Sequence, residues 1–475
     1  MKAPKKKNSN NNFSTKSKIL YSSGGMGFSI VGMIWISFML YLYLPPEGSG
    51  MPQLISNETS WFFLPTSILI IVLARFVEAV SNPLIGHLSD RSESNLGRRR
   101  VFLIYGGLPL TMAVLLLFYP PASRIGIINV VYMAAMLCIL LFFFTVYVIP
   151  WLALIPELTH TDRERTNLVT IQAAFILGGI IVVMIGKYFI WGMIEGLGME
   201  KANALKLIVI ILSITALILC YLGTLPIGEK QYSNSVPTRT RFFESIKLTL
   251  KNQALIYYLF GVICFWFGIN IVYQASTYYA TVLLEKGEIF SSLIFGSALV
   301  VALIFLPIVN LLSRHIKKSI IMIIALLIFA ISSGLVYFLG TDIVPIPKIY
   351  QAIIIFGLMG LSISVLFVIP NAMLSDLAEY DSIMNRSKRE AIHFAVQAFL
   401  MKINLGISTL ILFSLLFVFG KDLARPLGVK LTGPLVSIMC LIGIILFHRY
   451  PEKIVMDTLE IHRKKSKAIQ NRLFS

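Results

Sequence analysis

Charge is scarce in this chain. Only 13% of its 475 residues are Asp, Glu, Lys or Arg, while 57% are hydrophobic. A soluble domain keeps roughly a quarter of its residues charged, so the balance excludes a large soluble core and fits a chain solvated by lipid. Acids are scarcer than bases, 23 against 41, which leaves a formal net charge of +18. Basicity of that size can point to nucleic acid. Here the Lys and Arg residues sit in tails and short loops between apolar runs, so membrane topology and anionic headgroups account for them, and no nucleic acid partner is expected. Cysteine is nearly missing. Cys138, Cys220, Cys264 and Cys440 all fall inside apolar runs, where they read as small buried hydrophobes with no disulfide or zinc spacing. The six histidines are scattered. With no nucleophile–base or metal-ligand cluster at membrane depth, an intramembrane enzyme is not expected.

Long apolar runs are what the chain has in abundance. About twenty apolar residues cross a bilayer as a helix, because every backbone polar group is then paired internally. Such runs predict twelve spans near 19–44, 61–89, 100–119, 127–155, 168–191, 204–226, 253–283, 287–312, 319–339, 346–375, 391–420 and 431–450. The fold class is therefore all-α integral membrane. Residues 1–18 and 451–475 read as basic cytosolic tails, and no signal-peptide cleavage site follows the first run. Positive-inside counting places both termini in the cytosol, since the first external loop, PPEGSGMPQLISNETS, carries no Lys or Arg. Its Asn57-Glu58-Thr59 triplet is a glycosylation acceptor only in a eukaryotic cell. A polar linker over 227–252 separates a bundle at 19–226 from one at 253–450. The loop LSDRSESNLGRRR after span two is echoed by LSRHIKKS after span eight, which suggests duplication.

The second span carries the chemistry. Arg75, Glu78 and Asn82 lie at spacings of three and four and so share one helix face, with Ser81 beside them. A charge at membrane depth costs at least about 2.5–3.5 kcal/mol, so it faces a partner or a cavity. Two readings follow: an Arg75–Glu78 pair that staples the helix, or a cation site in which Glu78 binds the ion. The eleventh span holds the other strong charge, Lys402, with Gln397 before it, and is expected to meet Glu78 across a water-reachable chamber. At the inner end of span two, Gly86, Asp90, Gly97, Arg98, Arg99 and Arg100 form a glycine–acid–base turn suited to an inner gate. His393 reads as structural.

The span-two stretch ARFVEAVSNPLIGHLSDRSESNLGRRR, the segment ALIPELTHTDRERTNL and DLAEYDSIMNRSKREAIHFAVQAFLMK resemble the three hallmark regions of the glycoside–pentoside–hexuronide:cation symporters. The resemblance covers most of the chain. It implies a major facilitator fold of two six-helix bundles, in which rocking about a midplane site moves a small solute with a coupling cation. It also implies a cation site at Glu78, Ser81, Asn82 and Thr145, with Arg75 and Lys402 as charge partners. Where family members have two aspartates in span two, this chain has Glu78 and Asn82. Their sugar-contacting aspartates fall at Ser29 and Val148, and an arginine at Gln172. One carboxylate suits a proton better than Na+, which wants several hard oxygen ligands, and Na+ is the one metal this site suits. No cofactor is expected beyond H+ or Na+. Neutral cavity groups are then Tyr21, Tyr147, Trp151, Gln172, Tyr273, Gln274 and Gln397. The expected protein is a monomeric symporter of the cell membrane for a sugar, glycoside or related solute. A lysolipid or other amphiphile carrier, and a non-transporting sensor with the same fold, are the alternatives.

Overall fold

The computed structural model describes residues 14–45, 51–56, 66–159, 161–227, 252–286, 289–341, 346–385, 390–420 and 423–474. Most of the expected N-terminal tail, nearly all of the 227–252 linker and the Asn57-Glu58-Thr59 triplet lie outside them.

Helices follow the apolar runs closely. In chain order they are α1 (Thr15–Tyr43), α2 (Thr66–Arg91), α3 (Arg100–Leu117), α4 (Ile127–Ala153), a short α5 (Ile155–Leu158), α6 (Asp162–Leu197) and α7 (Lys201–Thr224). There follow α8 (Gln253–Tyr278) with a π-helical turn (Tyr279–Leu283), α9 (Ile289–Leu312), and α10 (Lys318–Leu335) with a 3-10 turn (Val336–Phe338). The last four are α11 (Lys348–Met384), α12 (Glu390–Phe419), α13 (Leu427–His448) and α14 (Glu452–Phe474). Among the described residues, 12 helices are long and apolar enough to cross a membrane.

Three elements depart most from the expected ranges, among them α11, which runs past residue 375 to Met384. α6 starts well before residue 168 because Thr161 caps it, its side chain accepting from the Glu164 N–H at 3.2 Å. The helix then runs to Gly198, whose φ of 64° suits a left-handed cap. Residues 451–475, expected as a tail, hold helix α14. Val455 and Leu459, four apart, are buried on it, while Ile454 and Ile461 are exposed, so one face is docked against α11.

The chain divides into two compact units: Met1–Glu78 with Leu88–Pro237, and Ala79–His87 with Thr238–Ser475. In the first, α1 packs on α7 and α6, and α3 on α4 and α7. In the second, α8 packs on α13 and α12, and α10 on α11 and α13. Numbered from the start of each half, these are the same pairs: first span with sixth and fifth, third with fourth and sixth. The loop echo therefore marks a repeat of helix packing. Lipid gives little hydrophobic drive between helices, so close van der Waals approach at small residues holds them. A Cβ on Gly223 of α7 would lie 2.7 Å from the backbone nitrogen of Gly24 on α1. In the second half, a Cβ on Gly433 of α13 would lie 2.2 Å from the Ser333 carbonyl oxygen on α10.

Gly223→Val should therefore force α1 and α7 apart and destabilise the protein by about 1–3 kcal/mol. Gly178→Ala, where nothing lies within 4 Å, should be nearly neutral. Thermal melts in detergent compare the two.

Candidate functional site

On α2, Arg75 and Glu78 stand one helical turn apart, and Arg75 Nη1 lies 2.8 Å from Glu78 Oε2. The Glu78 side chain is 2% exposed and that of Arg75 24%, so the acid is enclosed while the base reaches open space. Trp35 of α1 lies under the guanidinium, whose carbon is 4.7 Å from the ring centroid. Enclosure of a carboxylate at membrane depth is tolerated because a paired cation answers the charge. Thr145 of α4 is buried, and its hydroxyl donates to the Leu141 carbonyl one turn earlier, at 3.2 Å. Ser81 and Asn82 are buried and cluster with the second unit. Lys402 of α12 belongs to that unit too and is partly exposed.

Most residues expected at an inner gate converge in the first unit. Gly97, with φ of 116°, lets the α2–α3 turn reverse, because an L side chain rarely adopts that conformation. The turn carries Arg98 and the fully buried Arg99 back over the end of α2. Arg99 Nη2 lies 2.8 Å from Asp90 Oδ1, and its Nη1 lies 2.9 Å from Glu157 Oε1. Arg98 also pairs with Glu157, and Arg99 donates to the Ala153 carbonyl. Glu157, on α5, thus ties the start of α3 to the end of α4. Arg100 opens α3 itself. Gly86 clusters with the second unit, where a Cβ on it would lie 2.7 Å from the Ala395 Cβ and 3.1 Å from the Ala391 carbonyl oxygen of α12.

The second unit repeats this device. Lys318, at the start of α10, places Nζ 2.5 Å from Asp376 Oδ2 of α11, and both are buried. A base at the start of the third span and an acid at or just beyond the C-terminal part of the fourth recur in each half: Arg99 with Glu157, and Lys318 with Asp376. The second half adds α14. Glu452 accepts from the backbone N–H groups of Lys318 and Ser319 at 2.8 and 3.0 Å, and from the Ser319 hydroxyl. A carboxylate there meets the positive end of the α10 dipole. Eleven residues on, Arg463 makes a two-pronged pair with Glu379 of α11, at 3.1 and 2.6 Å. His393 Nε2 lies 3.7 Å from Asp381 Oδ2, and both side chains are buried.

Sequence reading passed over Glu157, Asp376, Glu452, Arg463 and Trp35. The sequence marks Glu157 only as a lone acid inside the apolar stretch ALIPELT; nothing local joins it to Arg98 and Arg99.

The expected cavity residues have varied surroundings. Tyr21, Tyr147 and Trp151 are fully buried inside the first unit. Tyr21 and Trp151 stack at 5.1 Å and exchange hydrogen bonds with each other's backbone carbonyls. The Tyr147 hydroxyl donates to the Cys220 carbonyl at 2.9 Å. In this conformation these three rings form the aromatic core of the bundle. Ser29 lies at the α1–α6 crossing, where a Cβ on Gly179 would meet its Oγ. Gln172 is buried and Val148 partly exposed. In the second unit Gln397 accepts from the Tyr258 hydroxyl at 2.7 Å, and Gln274 accepts from the Thr409 hydroxyl at 2.9 Å. Tyr273 is half-exposed, edge-on to Phe295. Among the described residues, no group of three His, Cys, Asp or Glu side chains could hold a metal ion.

Among the described residues, twelve membrane-length helices in two repeated halves, with an acid–base pair on α2, are the features of a major facilitator-type membrane transporter. The chain belongs to the MFS/sugar transport protein family, whose model matches residues 66–448, and so to the glycoside–pentoside–hexuronide symporters that the motifs resemble. An isoprimeverose transporter of Lactiplantibacillus pentosus is 24% identical over 342 residues, which cover 71% of this chain and 69% of that one. The inner membrane symporter YicJ of Escherichia coli is 24% identical over 428 residues, covering 87% and 84%. Among solved structures, the Escherichia coli fucose:proton symporter FucP aligns with a TM-score of 0.67 at 13% identity, covering 92% of this chain and 99% of that one. The proton:xylose symporter XylE aligns at 0.64 and 15%, covering 92% and 95%.

Two ion pairs of the second unit, Lys318–Asp376 and Arg463–Glu379, should respond unequally to loss of one partner. Asp376→Asn removes the carboxylate from the buried Lys318 pair and should cost about 3–5 kcal/mol. Glu379→Gln breaks a partly exposed pair and should cost about 1 kcal/mol or less. Detergent melts of the two variants check the contrast.

Proposed function

We propose that the protein is a cation-coupled symporter that moves a sugar, glycoside or related small solute across the cell membrane by alternating access. The observation that carries this reading is the enclosed Glu78 carboxylate, paired at 2.8 Å with Arg75 at membrane depth. Family membership and relatives named as sugar transporters support the solute class. Glu78 carries the coupling ion, and a proton fits better than Na+. A proton needs one titratable carboxylate, whereas Asn82 and Ser81 add only neutral oxygens to the set a sodium ion would require. Arg75 answers the charge of Glu78 when the ion is absent, and Lys402 is the second base the cycle uses. The protein works as a monomer with both termini in the cytosol.

Neutral side chains at Ser29 and Val148 remove charged acceptors for sugar hydroxyls, each worth about 1.5–3 kcal/mol. That favours a solute with fewer hydroxyl contacts, so an amphiphile such as a lysolipid belongs in the same screen.

The test is uptake into proteoliposomes of radiolabelled isoprimeverose, raffinose and a lysolipid, driven by a pH gradient or by a Na+ gradient. Sugar uptake should follow the pH gradient. Glu78→Gln should abolish the driven uptake and keep solute counterflow. Unchanged pH dependence in Glu78→Gln removes that residue from coupling, and the absence of counterflow for every solute class favours a sensor.

A further inference from the structure

We propose that Trp35 is a positioning residue for the coupling step, its indole face holding the Arg75 guanidinium in place whether or not Glu78 is charged. The proposal rests on Glu78 as ion carrier. Among the described residues of the first unit, Arg75 meets two partners of different kinds. One is the Glu78 carboxylate at 2.8 Å, and the other is the Trp35 ring, 4.7 Å from the guanidinium carbon to the centroid. Trp35 itself is buried, at 5% exposure, so this contact is shielded from bulk water on the ring side.

The two partners differ in kind. A carboxylate that takes up a proton stops attracting a cation, and Arg75 then loses its counter-charge at a depth where a bare cation is costly. A second acid in place of the ring would compete for the proton or draw Arg75 away. Indole does neither. It stays neutral throughout the cycle, attracts the cation through its ring quadrupole, and does so more strongly when desolvated. Trp is also the best of the three aromatic residues for that contact. Arg75 can thus remain on Trp35 while Glu78 is neutral and pair again when the ion leaves, without a long side-chain excursion. Asn82, the next polar residue at helical spacing on α2, brings no charge that could replace either partner.

A double-mutant cycle between Trp35→Leu and Arg75→Gln tests this on the full-length purified protein, with thermal melting in detergent as the readout. The cycle is run with Glu78 intact and again with Glu78→Gln, which mimics the proton-loaded carboxyl. Coupling between Trp35 and Arg75 should persist in the Glu78→Gln background, and Trp35→Phe should retain part of it where Trp35→Leu retains none. In isoprimeverose uptake driven by a pH gradient, Trp35→Leu should cut the rate about tenfold, with Trp35→Phe intermediate. If Trp35→Leu does not fold, Trp35→Met set against Trp35→Phe makes the same comparison. Loss of the coupling in the Glu78→Gln background overturns the proposal, as does equal behaviour of the aromatic and aliphatic variants. Neither result touches the assignment of Glu78, which stands or falls on the pH dependence of the Glu78→Gln variant alone.

Discussion

An ionised side chain surrounded by lipid has to have its charge answered inside its own helix bundle, and the described contacts of this protein are arranged around that requirement. On α2 the enclosed Glu78 is answered by Arg75, and Arg75 rests on Trp35. At the helix ends, Arg99 is answered by Asp90 and Glu157, and Lys318 by Asp376. Removing one partner of a buried pair costs far more than the net worth of the pair. The pairs therefore fix geometry more than they add stability.

The scaffold allows this because its two halves solve the same packing problem in the same way. First span against sixth and fifth, and third against fourth and sixth, recur in each unit. Small residues at the crossings let backbones approach, as at Gly223 beside Gly24 and Gly433 beside Ser333. The base–acid staple between the third and fourth helices recurs with them, although one half uses Arg with Glu and the other Lys with Asp. In the second half, α14 adds a carboxylate at the α10 N-terminus and an Arg463–Glu379 pair, so α14 is tied to both α10 and α11.

The spans were legible because an apolar run of membrane length leaves the backbone almost no alternative to a helix. Arg75 and Glu78 were legible for a similar reason, since a spacing of three on a helix is a contact in itself. Partners distant in sequence were not. The arginines of the α2–α3 turn were singled out, but Glu157, some sixty residues on, carries no local mark that assigns it to them. The helix in residues 452–474 was hidden by its basic composition, because Val455, Leu459 and Arg463 declare a docked face only once α11 is there to receive it. Tyr21, Tyr147 and Trp151 show a different limit. A ring in a membrane helix reads the same whether it lines a cavity or stacks in a core, and here their hydrogen-bonding groups are committed to backbone carbonyls.

The central claim is that solute entry carries a proton on Glu78. Trapping a pH-sensitive dye inside proteoliposomes and adding sugar outside, with no imposed gradient, reads that movement directly. The account predicts that the lumen acidifies as solute enters through the natural protein and keeps its pH when Glu78→Gln admits the same solute. Solute entry with no change of lumenal pH in the natural protein, dependent instead on external sodium, would contradict it.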